Sequence, residues 1–260
     1  MLYHYTRYET FMSYILPTGL LRTCSLRQMN DPRESLDWSF GSINFPYEEV
    51  FKGYYSDQTH IKCQYKYGNM IKDGYQVLCF TGAKREGWNN EMMWAHYGGL
   101  HSGICLEFDE DILVGNLKNS YPDMGFLLEN IEYSNRKNSS FLHWQEDKNR
   151  DENYKYIIKC LVKDMTLLKS DCWEKEDERR LVCMGVNKSL YIPIENALKT
   201  VYLGVSSNRN KEFVNSIYTT LKNRFNLSLL IYQNNSFERW GIKRLSNGEI
   251  GTCAFEDLNT

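Results

Sequence analysis

Four segments of the chain contain residues whose side chains could bind a ligand or carry out chemistry. The first is Tyr3-His4-Tyr5-Thr6, whose composition indicates a short strand. Because side chains alternate along a strand, His4 and Thr6 are expected on one face, where a ring nitrogen and a hydroxyl could together hold a diol or an amide. Tyr5 belongs to the same candidate binding set. The alternative is a surface strand whose histidine has no function.

The second segment is a turn at Asn30-Asp31-Pro32, followed by Arg33 and Glu34. Asn and Asp favour turns because their side chains bond the nearby backbone, and Pro fixes φ. Asp31 could cap a helix, with Glu34 three residues later as in a capping box, and no function would then be needed. An active-site role for Asn30, Asp31 and Glu34 is the other interpretation.

The third segment, residues 93–103, combines rings with glycines. It holds Trp94, His96, Tyr97 and His101, so two of the five histidines fall within it. Glycines allow a backbone to approach a ligand closely, and aromatic rings can stack on a planar group. The segment therefore favours a binding site, while simple packing of the rings is the alternative.

The fourth segment, residues 173–181, is rich in charge. If it is extended, Glu174, Glu176, Glu178 and Arg180 share one face. Carboxylates aligned in this way repel each other unless a cation, an arginine or a developing positive charge meets them. The alternative is a solvated, charged strand that prevents sheets from pairing edge to edge.

Composition limits the classes of function. The chain has 260 residues, a formal charge of −2 and 19 tyrosines, so it can bury a core but offers no overall basic excess for coating nucleic acid. Its eight cysteines show no C-x-x-C spacing, which argues against a structural zinc site and predicts reduced thiols in a cytoplasmic protein. No apolar run approaches the ~20 residues that cross a membrane, and the polar start predicts no signal peptide.

The elements that must position these segments follow from hydrophobic spacing and turn residues. Strands are predicted at 2–6, 20–23, 76–81 and 103–108, and a hairpin is predicted from Arg179–Met184 and Ser189–Ile194. Helices are predicted at 8–16, 91–97 and 147–168. A final β-α-β unit is predicted from 199–203, 210–225 and 227–233.

Together these elements predict an α+β fold in a single domain, residues 1–260, with a mixed or antiparallel sheet flanked by helices. Residues 1–205 would form the core that carries the motifs. Residues 199–260 would form a β-α-β extension at the C-terminal side, packed on that core.

The segments, taken in order, resemble a widespread bacterial family described only as a domain of unknown function. Its members share a Tyr-His-Tyr-Thr strand, Asn-Asp-Pro-x-Glu, a Cys-Phe-Ser/Thr strand, Trp-Ala-His-Tyr before His-x-Gly, and a late Trp-x-x-Glu-x-Glu-x-Arg. In this chain the five motifs are Tyr3–Thr6, Asn30–Glu34, Cys79–Thr81, Trp94–Cys105 and Trp173–Arg180. The resemblance implies a toxin-like or phage-defence context.

A strand with His-x-Thr, then a helix and Gly-Leu, also resembles the start of ADP-ribosyltransferases of the histidine–tyrosine–glutamate type. That resemblance implies an ADP-ribosyltransferase-like fold with NAD as co-substrate, bound by His4 and Thr6. Glu176 or Glu178 would stabilise the oxocarbenium-like transition state, because a fixed carboxylate favours the positive charge that develops on the sugar.

The same resemblance implies that Trp94 or Tyr97 stacks on nicotinamide. It assigns no role to His96 or His101, and the spacing between that family's second and third motifs is not recognisable in this chain. A nucleic acid or a protein could accept the ADP-ribose.

Three hypotheses follow. The first is an NAD-consuming enzyme that transfers ADP-ribose or hydrolyses NAD and needs no metal. The second is a non-catalytic sensor or binding protein of a defence system, in which Arg180 pairs with Glu176 or Glu178. The third is a nuclease that holds Mg²⁺ through Asp31, Glu34, His96, Glu176 and Glu178, although Arg180 would weaken such a site.

Overall fold

The computed structural model describes residues 1–35, 39–43, 68–82, 87–135, 139–143, 147–204, 219–220, 231–235, 238–244 and 250–254. The predicted α+β class is confirmed, because a large, mostly antiparallel sheet is combined with separate helices. No helix in the described part of the chain is both long and apolar enough to span a bilayer.

Sixteen strands are described, and they are numbered in chain order. They are β1 Leu2–Thr6, β2 Leu20–Arg22, β3 Cys24–Ser25, β4 Ser39–Ile43, β5 Tyr75–Thr81, β6 Ile104–Phe108, β7 Phe126–Asn130, β8 Glu132–Tyr133, β9 Ser139–His143, β10 Leu168–Lys169, β11 Glu178–Met184, β12 Tyr191–Pro193, β13 Leu198–Leu203, β14 Ile231–Asn235, β15 Glu238–Arg244 and β16 Ile250–Ala254. The main sheet has the order β16-β15-β14-β13-β6-β1-β5-β11-β7, and β3 also pairs with β5. The pairing of β13 with β14 is parallel, so the sheet is mixed as predicted.

Helices connect the strands. The longer ones are Glu91–His96, Glu110–Ser120 and Arg150–Leu167, and residues 68–74 form another. Shorter turns of helix are Tyr8–Thr10, Phe11–Ile15, Leu16–Thr18, Leu26–Gln28, Pro32–Ser35, Gly87–Asn89 and Asp171–Glu176. The helical stretch after β1 ends at Gly19, whose φ of 69° is a left-handed conformation that glycine adopts without a Cβ clash.

The sheet separates two apolar clusters. Phe11, Ile15 and Leu16 bury one side of the first helical stretch against one cluster. The second cluster includes Leu161, Val162 and Met165 of the long helix. Each fully buried leucine or phenylalanine contributes ~1.5–3 kcal/mol of burial, so these two clusters fix the sheet between layers of helix.

The main sheet has a gap between β1 and β5. In the described part of the chain these strands pair at one position, Tyr3 with Thr81, whereas β1 pairs along its whole length with β6. Further along the same edge of β5, β3 pairs with Val77 and Gln76. Between these two pairings, the edge of β5 around Cys79 has no strand paired to it in the described part of the chain. The candidate site lies next to this gap.

The predicted hairpin of Arg179–Met184 and Ser189–Ile194 is wrong. Both segments contain strands, but β11 pairs with β5 and β7, and β12 pairs with β2. The reason is burial: five of the seven residues of β11 are buried, from both faces of the strand, which is typical of an inner strand with a neighbour on each side. The helix Glu110–Ser120 and strand β7 had no counterpart in the sequence-based expectations.

The predicted β-α-β unit has its two strands. Strands β13 and β14 pair in parallel, which is the relation that a helical crossover requires. The predicted helix 210–225 lies almost entirely outside the described residues. The division into a core of 1–205 and an extension of 199–260 stays a prediction.

Candidate functional site

A cavity lies next to the gap between β1 and β5. Its empty volume, counted together with the open solvent at its mouth, is about 410 Å³. The lining residues come from distant parts of the chain and include six of the predicted site residues. They are Tyr3, His4, Tyr5, Met29, Asn30, Cys79, Phe80, Met93, Tyr97, Lys169, Glu176 and Glu178.

His4 closes the gap in the sheet with its side chain. Its Nδ1 lies 3.0 Å from the carbonyl oxygen of Cys79, and its ring packs edge-on against Phe80. Burial lowers the pKa of His4 and outweighs the opposing effect of the Cys79 carbonyl. A carbonyl can only accept a hydrogen bond, so the neutral ring carries its proton on Nδ1 and Nε2 is the acceptor.

Glu176 and Glu178 reach the cavity from different backbone conformations. The prediction that 173–181 is extended is wrong for its first half, because Asp171–Glu176 is a 3₁₀ helix and Asp177 is left-handed with a φ of 47°. Strand β11 begins only at Glu178, where Glu178 and Arg180 do share a face. The left-handed residue redirects the chain, so Glu176 lies beside Glu178 although the two are not on one strand.

Lys169 and Arg180 bind these carboxylates in a buried ion network. Lys169 Nζ lies 2.6 Å from Glu176 Oε2 and 2.9 Å from Glu178 Oε2. Arg180 Nε lies 2.6 Å from Glu178 Oε1, and its guanidinium also binds Glu34 and donates to the Thr166 carbonyl at 2.8 Å. All of these charged side chains are at most 5 % exposed. The interpretation of the segment as a solvated charged strand is therefore wrong.

The network contains one more carboxyl group than it contains cations. Three carboxylates, those of Glu34, Glu176 and Glu178, face the two cations of Lys169 and Arg180. The network carries one net negative charge when Glu34 is ionised and none when its raised pKa keeps that carboxyl protonated. Glu176, which has a single cationic contact, is the carboxylate best placed to favour a ligand with positive charge, or a transition state in which positive charge develops.

The pKa values of the network follow from burial and from the neighbouring charges. Burial alone would raise the pKa of Glu178, but Arg180 and Lys169 outweigh it and lower this pKa to about 2. Burial raises the pKa of Glu34 and outweighs the lowering effects of Arg180 and Lys169. Burial would lower the pKa of Lys169, yet the surrounding carboxylates raise it. Lys169, Arg180 and Glu178 are thus all charged at neutral pH.

Tyr97 joins the cavity to the segment at Asn30. Its hydroxyl donates to Glu176 Oε1 at 2.6 Å and accepts from Asn30 Nδ2 at 2.6 Å. The preceding helix, Glu91–His96, is capped by the Asn90 side chain, which accepts from the Met93 amide. Asn90 also donates to the Lys175 carbonyl at 2.6 Å. This helix is therefore fixed to the 3₁₀ helix that ends at Glu176.

The other predicted site residues do not line the cavity. Glu34 and Arg180 lie outside the lining of the cavity and form an ion pair with each other. Trp94 packs edge-on against Tyr5 and donates to the Trp88 carbonyl. Thr6 and Asp31 are buried elsewhere, His96 packs edge-on against Trp173, and His101 lies in a turn with a φ of 65°.

Sequence reasoning missed Lys169, the cation that contacts both cavity carboxylates. It forms the end of a two-residue strand, β10, directly after the long helix. The only local signal is its position after the apolar pair Leu167-Leu168, where a lysine would be expected to need a buried partner.

No group of three or more His, Cys, Asp or Glu side chains is arranged to hold a metal ion among the residues that the structure describes. In the cavity, both oxygens of Glu178 and one of Glu176 already contact Lys169 or Arg180. The six cysteines whose side chains are described are free thiols: Cys24, Cys79, Cys105, Cys160, Cys172 and Cys183.

Residues 93–181 match the sequence model of a family described as "Protein of unknown function (DUF2971)". The match confirms the resemblance to a domain-of-unknown-function family, and it spans the motifs Trp94–Cys105 and Trp173–Arg180. The motifs Tyr3–Thr6, Asn30–Glu34 and Cys79–Thr81 lie outside the matched segment. No curated protein and no solved structure gave a significant match.

Proposed function

We propose that this protein is an NAD-consuming enzyme that cleaves the bond between nicotinamide and ribose, in a toxin-like or phage-defence role in the cytoplasm. The observation that supports the proposal is the common cavity of His4, Tyr97 and Glu176, which come from three remote segments. The cavity combines a neutral imidazole, aromatic rings and the carboxylates of Glu176 and Glu178, groups that suit a cationic nicotinamide ring.

Cleavage of the glycosidic bond determines where positive charge develops. The electron pair of the glycosidic bond leaves with the ring nitrogen, which becomes neutral, and positive charge develops on the sugar. A carboxylate fixed in a buried site stabilises that charge. Water or a nucleophile of a nucleic acid or protein then bonds to the sugar carbon and loses a proton, which yields ADP-ribose or an ADP-ribosylated acceptor.

Glu176 is a better candidate for this carboxylate than Glu178. Both oxygens of Glu178 are bound by cations, Lys169 and Arg180, so its charge is already neutralised. Glu176 has one cationic contact, with Lys169, and its other oxygen accepts from the neutral Tyr97 hydroxyl. Its charge is therefore more available to a ligand.

His4 would contribute binding. As a neutral imidazole that donates through Nδ1, it offers Nε2 as an acceptor for a sugar hydroxyl. A protonated histidine would add a positive charge next to a cationic ring, so the lowered pKa of His4 suits this role.

The test is nicotinamide release from NAD by purified protein, measured by liquid chromatography. Glu176→Gln should lower the rate at least ~100-fold while the protein stays folded, because one electrostatic contact at a transition state typically contributes that much. Glu174→Gln is the matched control, since Glu174 lies exposed in the same 3₁₀ helix and should leave the rate unchanged. An unchanged rate in Glu176→Gln, or a wild type that releases no nicotinamide, would contradict the proposal. Labelled NAD would separate hydrolysis from transfer to an acceptor.

A non-catalytic sensor is the second candidate, and the ion network favours it. Buried ion pairs need both partners, and here Lys169 and Arg180 satisfy most carboxylate oxygens. In that case Glu176→Gln should lower the melting temperature sharply, and NAD or another ligand would bind without being cleaved. Calorimetric binding together with product analysis distinguishes the two candidates.

A magnesium-dependent nuclease is the third candidate and has less support. Lys169 and Arg180 occupy the oxygens that would bind Mg²⁺. Heat released on titration with Mg²⁺ or Mn²⁺, together with cleavage of DNA or RNA, would favour it over the other two.

A further inference from the structure

We propose that the Tyr97 hydroxyl, rather than its ring face, is what the reaction needs, because it holds Glu176 in its working orientation. The inference rests on the proposed function and assigns Tyr97 as a positioning residue. It differs from a stacking role, in which the ring alone would matter and a phenylalanine would serve equally well.

The hydrogen bonds form a directed chain. Asn30 Nδ2 donates to the Tyr97 hydroxyl, and that hydroxyl donates to Glu176 Oε1, each over 2.6 Å. A hydroxyl that accepts one hydrogen bond becomes a better donor in the next, so Asn30 strengthens the contact with Glu176. The hydroxyl is held on both sides, which also fixes the tilt of the Tyr97 ring.

Glu176 needs such support because of its place in the chain. It is the last residue of a 3₁₀ helix and precedes the left-handed Asp177, so no strand neighbours restrict its side chain. Lys169 binds Oε2, and the carboxylate could rotate if this were its single contact. The Tyr97 hydroxyl binds the other oxygen, Oε1, and prevents this rotation.

Loss of the Tyr97 hydroxyl should affect the chemical step more than ligand binding. Without the hydroxyl, Glu176 can turn its second oxygen towards Lys169, and the cavity keeps its shape. Ligand binding should then change little, while stabilisation of the transition state falls. A displacement of about 1 Å in a catalytic group can cost ~100-fold in rate.

The experiment compares steady-state NAD cleavage by Tyr97→Phe, Asn30→Ala and Glu176→Gln. Tyr97→Phe should lower kcat by about 10- to 100-fold with KM within about twofold of the wild type. Asn30→Ala should lower kcat less, since it acts through Tyr97. Combining Tyr97→Phe with Glu176→Gln should give no loss beyond Glu176→Gln alone, because both changes remove one function.

Tyr202→Phe is the matched control. The Tyr202 hydroxyl also donates to a carboxylate, Glu107 Oε2 at 2.9 Å, but neither residue lines the cavity. The change removes the same chemical group from a similar bond, and kcat should stay at the wild-type value. A fall in kcat in Tyr202→Phe equal to that in Tyr97→Phe would indicate a general effect of losing a buried hydroxyl and would overturn the inference.

Further outcomes separate this inference from the proposed function. An active wild type whose Tyr97→Phe variant keeps its kcat, or raises only KM, would refute the positioning role and leave the NAD-consuming function intact. A wild type that releases no nicotinamide would overturn the function and this role together. Urea unfolding of the wild type, Tyr97→Phe, Glu176→Gln and the variant that combines these two changes tests the contact without NAD. Additive losses of stability would refute the contact whether or not the protein cleaves NAD.

Discussion

Replacing Glu178 by glutamine should destabilise the fold strongly, because this carboxylate links both cations of the buried network. Its Oε1 accepts from Arg180 and its Oε2 contacts Lys169, at 2.6 and 2.9 Å. Glutamine keeps the size of the side chain but loses the charge. Arg180 would still form its ion pair with Glu34, and Lys169 would still form its ion pair with Glu176. The network would therefore be weakened, but each cation would retain one carboxylate.

The magnitude follows from the pKa of Glu178. Arg180 and Lys169 overcome the effect of burial and lower this pKa from its usual 4.5 to about 2. One pKa unit corresponds to ~1.4 kcal/mol, so ionised Glu178 contributes about 3 kcal/mol to the free energy of unfolding at neutral pH. That value lies at the lower end of the ~3–5 kcal/mol lost when a buried charge loses its partner, as expected because Lys169 and Arg180 each keep a second carboxylate.

The sign of the pH dependence is fixed by the direction of the shift. The pKa is lower in the folded state, so the unfolded state binds the proton first as the pH falls. The contribution of Glu178 is fully present above about pH 4.5 and is lost as the pH falls towards 2. The difference in stability between wild type and Glu178→Gln should therefore shrink across this window.

Urea unfolding followed by fluorescence, repeated between pH 7 and pH 3, measures this difference. Glu129→Gln is the control, because Glu129 lies opposite Arg180 on β7 but is exposed, and its replacement should change stability by no more than ~0.5 kcal/mol. Equal stabilities of wild type and Glu178→Gln at pH 7 would refute the reasoning, as would a difference that grows on acidification.

Two further predictions concern packing and reactivity. Gly103→Ala should cost several kcal/mol in urea unfolding, since its Cβ would lie 2.3 Å from the Thr6 carbonyl oxygen, whereas Gly115→Ala, with open space in the helix Glu110–Ser120, should stabilise by ~0.5–1 kcal/mol. Equal effects would contradict the backbone packing described for Gly103. The exposed Cys172 should react with maleimide in the native protein, whereas the buried Cys105, whose thiol pKa burial raises, should react only after unfolding, as mapped by mass spectrometry. Labelling of Cys105 in the native protein at the same rate as Cys172 would contradict the burial of Cys105.

Local elements were predictable because their signals are local. Strand β5 and the helix Glu91–His96 each follow from a short apolar or capped pattern, and the structure has both near the predicted bounds. The long helix was predicted at 147–168 and lies at Arg150–Leu167, where Asn149 and Glu152 form its capping box. Such patterns depend on neighbours within a few residues, which the sequence displays directly.

Pairing partners were not predictable in the same way. Strand β11 was expected in a hairpin with the next strand, yet its neighbours β5 and β7 lie about 50–100 residues earlier in the chain. Burial on both faces marks β11 as an inner strand but does not identify which strands flank it. The same limit hid Lys169, whose carboxylate partners are defined only once β10 and the 3₁₀ helix Asp171–Glu176 are in place.

The sequence by itself determined the α+β class, most of the local elements and the set of unusual polar residues, because periodicity and residue type are encoded within short windows. Only the tertiary structure decided what those residues do to one another. It brought His4, Tyr97 and Glu176 to one cavity, left Thr6 and His101 outside it, and gave Glu178 two cations but Glu176 one. The physical reason is that charge interactions depend on distance and burial, and both arise only when remote segments pack together.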